Sequence, residues 1–158
     1  MEYKKASLSD IGILTNMRIN MLCEESPLTD GQKRLIAEKT MEFLFNGLSD
    51  NSVVSWVAAN AGDIVGMGCV NFFSFPPNDW CPIGKTAYIG NMYTLPGFRG
   101  QGIALTILTY LVDEVKSRQC QRILLNATDM GRPLYEKCGF EDSPTAMALY
   151  PFGIIPPI

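Results

Sequence analysis

Between Thr86 and Asn126 the hydrophobic period changes twice, and this constrains the fold more than any other feature of the chain. A β-prone run, Thr86 to Tyr93, is closed by Pro96 and Gly97. From Ile103 to Gln119 the apolar residues then recur at helical spacing. Ala104, Ile107, Leu108, Leu111, Val112 and Val115 share one face, and Thr106, Asp113 and Lys116 turn away from it. Arg122 to Asn126 is β-prone again. Strand, helix and strand of these lengths form a crossover whose two strands lie parallel.

The rest of the sequence supplies antiparallel material around that unit. A short strand at Glu2 to Ala6 precedes Ser7 and Ser9, either of which can cap a helix carrying Ile11, Leu14, Met17, Met21 and Leu22 and stopped by Pro27. A second helix starts near Thr29 or Asp30, carries Leu35, Ile36, Phe43 and Leu44, and is expected to end at Gly47. Two apolar runs, Val53 to Ala59 and Ile64 to Phe75, flank the turn residues Asn60-Ala61-Gly62-Asp63 and read as a hairpin, with Gly66 and Gly68 marking a bend. Pro76, Pro77 and Pro82 make the next segment a loop. After the crossover come a short helix at Gly131 to Lys137 ended by Gly139, a last strand near Thr145 to Tyr150, and an extended proline-rich tail, Pro151 to Ile158. The expected fold is therefore α/β (α+β), one domain over residues 1–158. Its mixed, mostly antiparallel central sheet has about six or seven strands, one parallel βαβ crossover and helices on both faces.

Composition narrows the chemistry. The chain contains no histidine, so triad hydrolases lose their base and most zinc enzymes a ligand. Proton transfer falls to carboxylate, tyrosine, lysine, cysteine or water. The net charge of −3 without a basic cluster argues against nucleic acid as a partner. Five scattered cysteines form no Cys-x-x-Cys pair, so neither a disulfide framework nor a metal site is expected, and a reducing cytoplasm fits best. No stretch reaches the roughly 18 apolar residues of a membrane helix, and Met1 to Asp10 has no apolar leader core.

The chemistry concentrates in Leu95-Pro96-Gly97-Phe98-Arg99-Gly100-Gln101-Gly102-Ile103-Ala104, a glycine-rich turn running from a strand into the best-patterned helix. Free main-chain N–H groups at a helix start, added to the positive end of its dipole, suit a phosphate or pyrophosphate, and Arg99 can add a charge-assisted contact. A dinucleotide fingerprint fails because Leu105 stands where the third glycine is needed. Gly84-Lys85-Thr86 imitates the end of a phosphate-binding P-loop, but its first glycine would fall on Asp79, with Trp80 and Pro82 inside the loop. Arg99-x-x-Gly102-x-Ala104 instead resembles the signature of the GNAT superfamily of N-acetyltransferases. The resemblance extends through Tyr88-Ile89-Gly90-Asn91-Met92-Tyr93-Thr94 before the turn and Leu134-Tyr135-Glu136-Lys137-Cys138-Gly139-Phe140 after it.

That resemblance implies a GNAT-like fold, with an acetyl-CoA-binding core over residues 86–140 and a substrate-side half over 1–85. It implies that the backbone amides of Arg99, Gly100, Gln101, Gly102, Ile103 and Ala104 hold the pyrophosphate of coenzyme A, and that the strand ending at Met92, Tyr93 and Thr94 splays from its parallel neighbour to admit pantetheine. A backbone N–H near Met92 would polarise the thioester carbonyl, Asn126 would bond the pantetheine arm, and Tyr135 would protonate the departing thiolate. An alkylamine with a pKa near 10.4 must lose a proton before it attacks. Glu24, Glu25 or a water chain could take it. The implied function is transfer of acetyl from acetyl-CoA, without a metal, to a primary amine on a small molecule or peptide by direct attack in a ternary complex. The alternative is a catalytically silent acyl-CoA sensor or interaction module. The acceptor and the oligomeric state stay open, a homodimer included.

Overall fold

The computed structural model describes residues 1–143 and 146–151. These fall into two compact units, one from Met1 to Leu125 and one beginning at Asn126.

The first unit is built on a sheet of five strands: β1 (Glu2–Lys5), β2 (Val53–Asn60), β3 (Asp63–Ser74), β4 (Lys85–Thr94) and β5 (Arg122–Leu124), paired in that order. The first three pairings are antiparallel and the β4–β5 pairing is parallel. The helices are α1 (Ile11–Glu25), α2 (Asp30–Asp50) and α3 (Ile103–Ser117), with 3-10 turns at Leu8–Asp10 and Pro96–Phe98. The expected mixed sheet with its single crossover is thus present, and helices cover both faces.

Local chemistry accounts for most boundaries. At the entry to α1 the Ser7 N–H and hydroxyl both donate to the Asp10 carboxylate, at 2.7 and 2.8 Å. At α2 the Thr29 N–H donates to Gln32 Oε1 at 2.9 Å while the Gln32 N–H donates back to Thr29 Oγ1 at 3.2 Å, a reciprocal capping box. The β2–β3 hairpin turns at Ala61 and Gly62, both at positive φ (52° and 95°), which matches the strand twist.

Two expectations fail for identifiable reasons. Gly47 does not end α2. It is buried within the helix because the Val53 side chain occupies the space where a Cβ would stand, and the stop comes at Asn51 in the left-handed region, φ 60°. The anticipated strand near Thr145 to Tyr150 is also not formed among the described residues. Ala146 to Tyr150 is exposed and non-strand, with Met147 98% and Leu149 86% exposed, and without a partner ladder its backbone has no reason to stay extended. Five strands, not six or seven, are therefore formed among the described residues. Thr145 and residues 152–158 of the expected tail lie outside them.

Glycine decides how closely α3 sits on the sheet. A Cβ on Gly66 would stand 2.7 Å from the Ile103 side chain, and one on Gly68 would stand 2.8 Å from Ile107 and 3.0 Å from Leu111 while striking Met92. Ile103, Ile107, Leu108, Leu111 and Val115 are buried there, and Tyr110 of the same helix stacks on Trp56 of β2 at 4.2 Å. On the opposite face Leu14 and Met17 of α1 and Leu44 of α2 close over Val57, Met67 and Tyr93.

The second unit holds α4 (Arg132–Lys137), followed by Gly139 at φ 87°, which lets the chain reverse so that the Phe140 N–H donates to the Tyr135 carbonyl at 3.1 Å. The Tyr135 and Phe140 rings meet edge to face at 5.8 Å, and Arg132 pairs with Asp142 at 2.7 Å.

Candidate active site

The site grows from two irregularities at the end of β4. The first is a bulge. Met67 pairs with Tyr93 and Cys69 with Gly90, so Asn91 and Met92 together face Gly68 alone. Asn91 sits at φ 54°, a conformation that asparagine tolerates better than most side chains. The second is a short ladder. The β4–β5 ladder runs only through Thr86↔Arg122, Ala87↔Ile123 and Tyr88↔Leu124, and beyond it β4 continues to Thr94 with no β-partner on that side among the described residues. An extended chain of amides could add to the bared edge as a strand would.

The turn that follows prepares α3 to receive an anion. Gly100 and Gly102 adopt φ 75° and 78°, left-handed values that a side chain would strain, and Gly102 serves as the N-cap of α3. A Cβ at either glycine would meet nothing within 4 Å, so the space in front of the main chain is open. The Gly102 carbonyl is taken by the Thr106 N–H at 3.0 Å and by its hydroxyl at 3.1 Å, whereas the N–H groups from Gly100 to Leu105 have no acceptor among the described residues. Unsatisfied donors, the helix dipole and an open approach are what a diphosphate requires. The residues present fit that group.

Arg99 does something other than extend that cradle with its side chain. Its Nε donates to the Thr94 carbonyl at 2.9 Å and its Nη2 to Glu24 Oε2 at 2.6 Å, and the guanidinium lies 5.5 Å from the centre of the Tyr93 ring. The Tyr93 hydroxyl donates to the other carboxylate oxygen, Glu24 Oε1, at 2.6 Å. Glu24 is thereby held below the ordinary carboxylate range, chiefly by the Tyr93 hydrogen bond and then by Arg99. Tyr93 is pushed up to about 12 by burial and then by Glu24, so its phenol stays protonated. A carboxylate with both oxygens engaged and its proton affinity lowered is a poor base. The arrangement casts Glu24 as a strut tying the end of α1 to the turn.

Of the residues singled out in the sequence, the structure thus brings Glu24, Tyr93, Thr94 and Arg99 together beside Gly100 to Ala104. Glu25, the last residue of α1, is exposed and outside this cluster. Asn126 and Tyr135 belong to the second unit, where Tyr135 is buried and packs on Phe140. No local pattern announces the Glu24–Tyr93–Arg99 cluster, because its members are 69 and 75 residues apart in sequence.

Comparison with known proteins agrees with this geometry. A model of the acetyltransferase (GNAT) family matches residues 17–140, and the chain belongs to that family. The fold superposes with a TM-score of 0.87 on a predicted acetyltransferase with acetyl-CoA from Clostridium acetobutylicum, 36% identical, covering 94% of this chain and 95% of that one. A GCN5-related N-acetyltransferase from Ralstonia eutropha JMP134 gives the same TM-score at 25% identity, covering 96% and 99% of the two chains. Among curated proteins, the uncharacterized N-acetyltransferase YjgM of Escherichia coli K12 is 26% identical over 126 residues, 78% of this chain and 72% of that one. A probable glucosamine 6-phosphate N-acetyltransferase of Oryza sativa subsp. japonica is 31% identical over 67 residues, and the match spans 42% of this chain and 40% of that protein's length. The relatives and neighbours it resembles are named as acetyltransferases. Among the described residues no helix is long and apolar enough to cross a membrane.

Proposed function

We propose that the protein moves the acetyl group of acetyl-CoA directly onto a primary amine, on a small molecule or a peptide, while both substrates are bound. The observation that carries this reading is the coincidence, at one end of β4, of a bared strand edge and a turn whose main-chain donors are unsatisfied. The first suits the amide-bearing pantetheine arm and the second its diphosphate. Acetyl-CoA supplies an activated acyl carbon; the protein supplies alignment, worth several kcal/mol of the barrier, and proton traffic. A main-chain N–H at the bulge near Met92 would polarise the acyl oxygen, and Asn126 would bond the arm.

In the transfer the amine nitrogen forms a bond to the acyl carbon, the carbon–sulfur bond breaks, and the amine sheds a proton. Tyr135 gives its phenolic proton to the leaving sulfur. Because Glu24 is committed to Tyr93 and Arg99, the amine proton passes to Glu25 or along water rather than to Glu24. The five free cysteines fit a reducing cytoplasm.

The test is acetyl-CoA turnover against a panel of polyamines, amino sugars, amino acids and peptide N-termini, read as released thiol. Tyr135→Phe should lower kcat by about 10²–10³ with coenzyme affinity intact, within the usual range for a removed general acid. Binding of acetyl-CoA without turnover of any amine would instead make the protein a sensor, and absence of binding would end the proposal.

A further inference from the structure

The sheet face beneath α1 carries a second set of polar side chains, separate from the cradle and the Glu24 strut. Strand alternation places Met67, Cys69 and Asn71 of β3 on this face, and the antiparallel register sets Gly90 opposite Cys69 and Tyr88 opposite Asn71. Met67 packs against Leu14 and Met17, so α1 lies over the row. Thr15 and Arg18, three residues apart, share a helix face next to those two. Thr15 is only 3% exposed, yet its hydroxyl has no hydrogen-bond partner. Arg18, Asn71 and Tyr88 are half-buried, and among the described residues none of their side chains has a hydrogen-bond or ion-pair partner.

Arg18 also acts on Cys69: burial pushes that thiol up to about 12, and the Arg18 charge pulls against the rise. Gly90 contributes no side chain, and a Cβ there would crowd the Tyr88 ring at 3.3 Å, so the glycine keeps room beside Tyr88. The next two residues, Asn91 and Met92, form the bulge. Guanidinium, phenol, amide and hydroxyl all offer donors and the set contains no carboxylate. A half-buried guanidinium without an acid can take a charge-assisted pair with an anion from outside the protein.

We infer that Arg18, with Asn71 and Tyr88, anchors an anionic oxygen group, carboxylate or phosphate, carried by the acceptor amine, so that the acceptors are amino acids or phosphorylated amines rather than polycations. This rests on the acetyl-transfer reading above. The Tyr88–Gly90 row leads into the bulge, so an acceptor gripped by its anion would present its amine there.

Matched acceptors test it: glucosamine 6-phosphate against glucosamine, and α-amino acids against their amides, each with the wild type, Arg18→Gln and Arg18→Lys. In at least one pair the anionic member should exceed the neutral one in kcat/KM by tenfold or more. Arg18→Gln should erase that preference through KM, Arg18→Lys should restore part of it, and acetyl-CoA affinity should stay unchanged in both. A preference for phosphate over carboxylate, or the reverse, identifies the source of the anion. Equal use of neutral and anionic members, a preference that survives Arg18→Gln, or acetyl-CoA binding with no turnover in any pair would overturn the inference. Should acetyl-CoA itself fail to bind, the transfer reading falls. Calorimetry of glucosamine 6-phosphate and of an α-amino acid on the wild type and Arg18→Gln then decides the anion site: Arg18-dependent binding keeps it, and no binding removes it.

Discussion

The turn before α3 and the sheet face beneath α1, the two regions proposed to receive coenzyme and acceptor, offer different parts of the chain. In the turn the groups on offer are main-chain N–H donors from Gly100 to Leu105, and the glycines count for the side chains they lack. Beneath α1 the groups on offer are side chains, Thr15 and Arg18 from a helix with Asn71 and Tyr88 from two strands. A main-chain site depends on conformation, which a few neighbouring residues set, and it takes whatever diphosphate the fold presents. A side-chain site depends on residue identity at distant positions, so it can be retuned without touching the backbone. On the proposed reading, cofactor binding and acceptor choice can therefore vary independently within one small sheet.

The sharpest way to break the comparison is to put a side chain where the turn needs none. Gly102→Val places a β-branched residue at φ 78°, at a cost of about 1–2 kcal/mol, and fills the open space before the main chain. Coenzyme A affinity measured by calorimetry should fall at least tenfold, and an unchanged affinity would show that the turn does not hold the diphosphate. Next in size is Gly68→Val. Its added atoms would meet Ile107, Leu111 and Met92, so α3 must lift from the sheet. Denaturant unfolding should register a loss of about 1–3 kcal/mol, the usual cost of overpacking. The coenzyme site should weaken in parallel, because the turn rides on α3.

The smallest effect is expected from Glu24→Gln, which keeps the shape of the strut and removes its charge. An exposed pair of this kind contributes about 0.2–1 kcal/mol, with Glu24 and Arg99 side chains 37% and 34% exposed. Because folding lowers the Glu24 pKa, its stabilisation is fully present above the ordinary glutamate value of 4.5 and is lost as pH falls through the lower folded value. The stability gap between wild type and Glu24→Gln should therefore be constant near neutrality and begin to close only as pH falls below 4.5. If instead kcat collapses in this variant and the acidic limb of the wild-type pH profile disappears with it, Glu24 is the base after all and the strut reading is wrong.

How much was legible in the sequence follows the same division. The crossover from β4 through α3 to β5 was readable because period, capping and glycine placement act within a few residues. Gly47 misled because a glycine required for close packing against Val53 looks, in sequence, like one required for a left-handed stop. The apolar stretch at Ala146 to Tyr150 misled because β-propensity alone does not supply a partner strand. In the candidate site, the glycine turn is legible as a turn that opens a helix, whereas the side-chain direction of Arg99, toward Glu24 and Thr94 rather than the cradle, is not.

The sequence by itself determined the mixed sheet, the crossover and the glycine turn opening α3, and through its lack of histidine it limited which groups can move protons. These are local or compositional properties, set by which backbone angles and periods each segment allows. It took the tertiary structure to bring Glu24 to Tyr93 and Arg99, to end the β4–β5 ladder at Tyr88, and to leave the Arg18 side chain without a hydrogen-bond or ion-pair partner among the described residues. Charge pairing and strand separation depend on which distant residues meet in space, and no stretch of sequence carries that information alone.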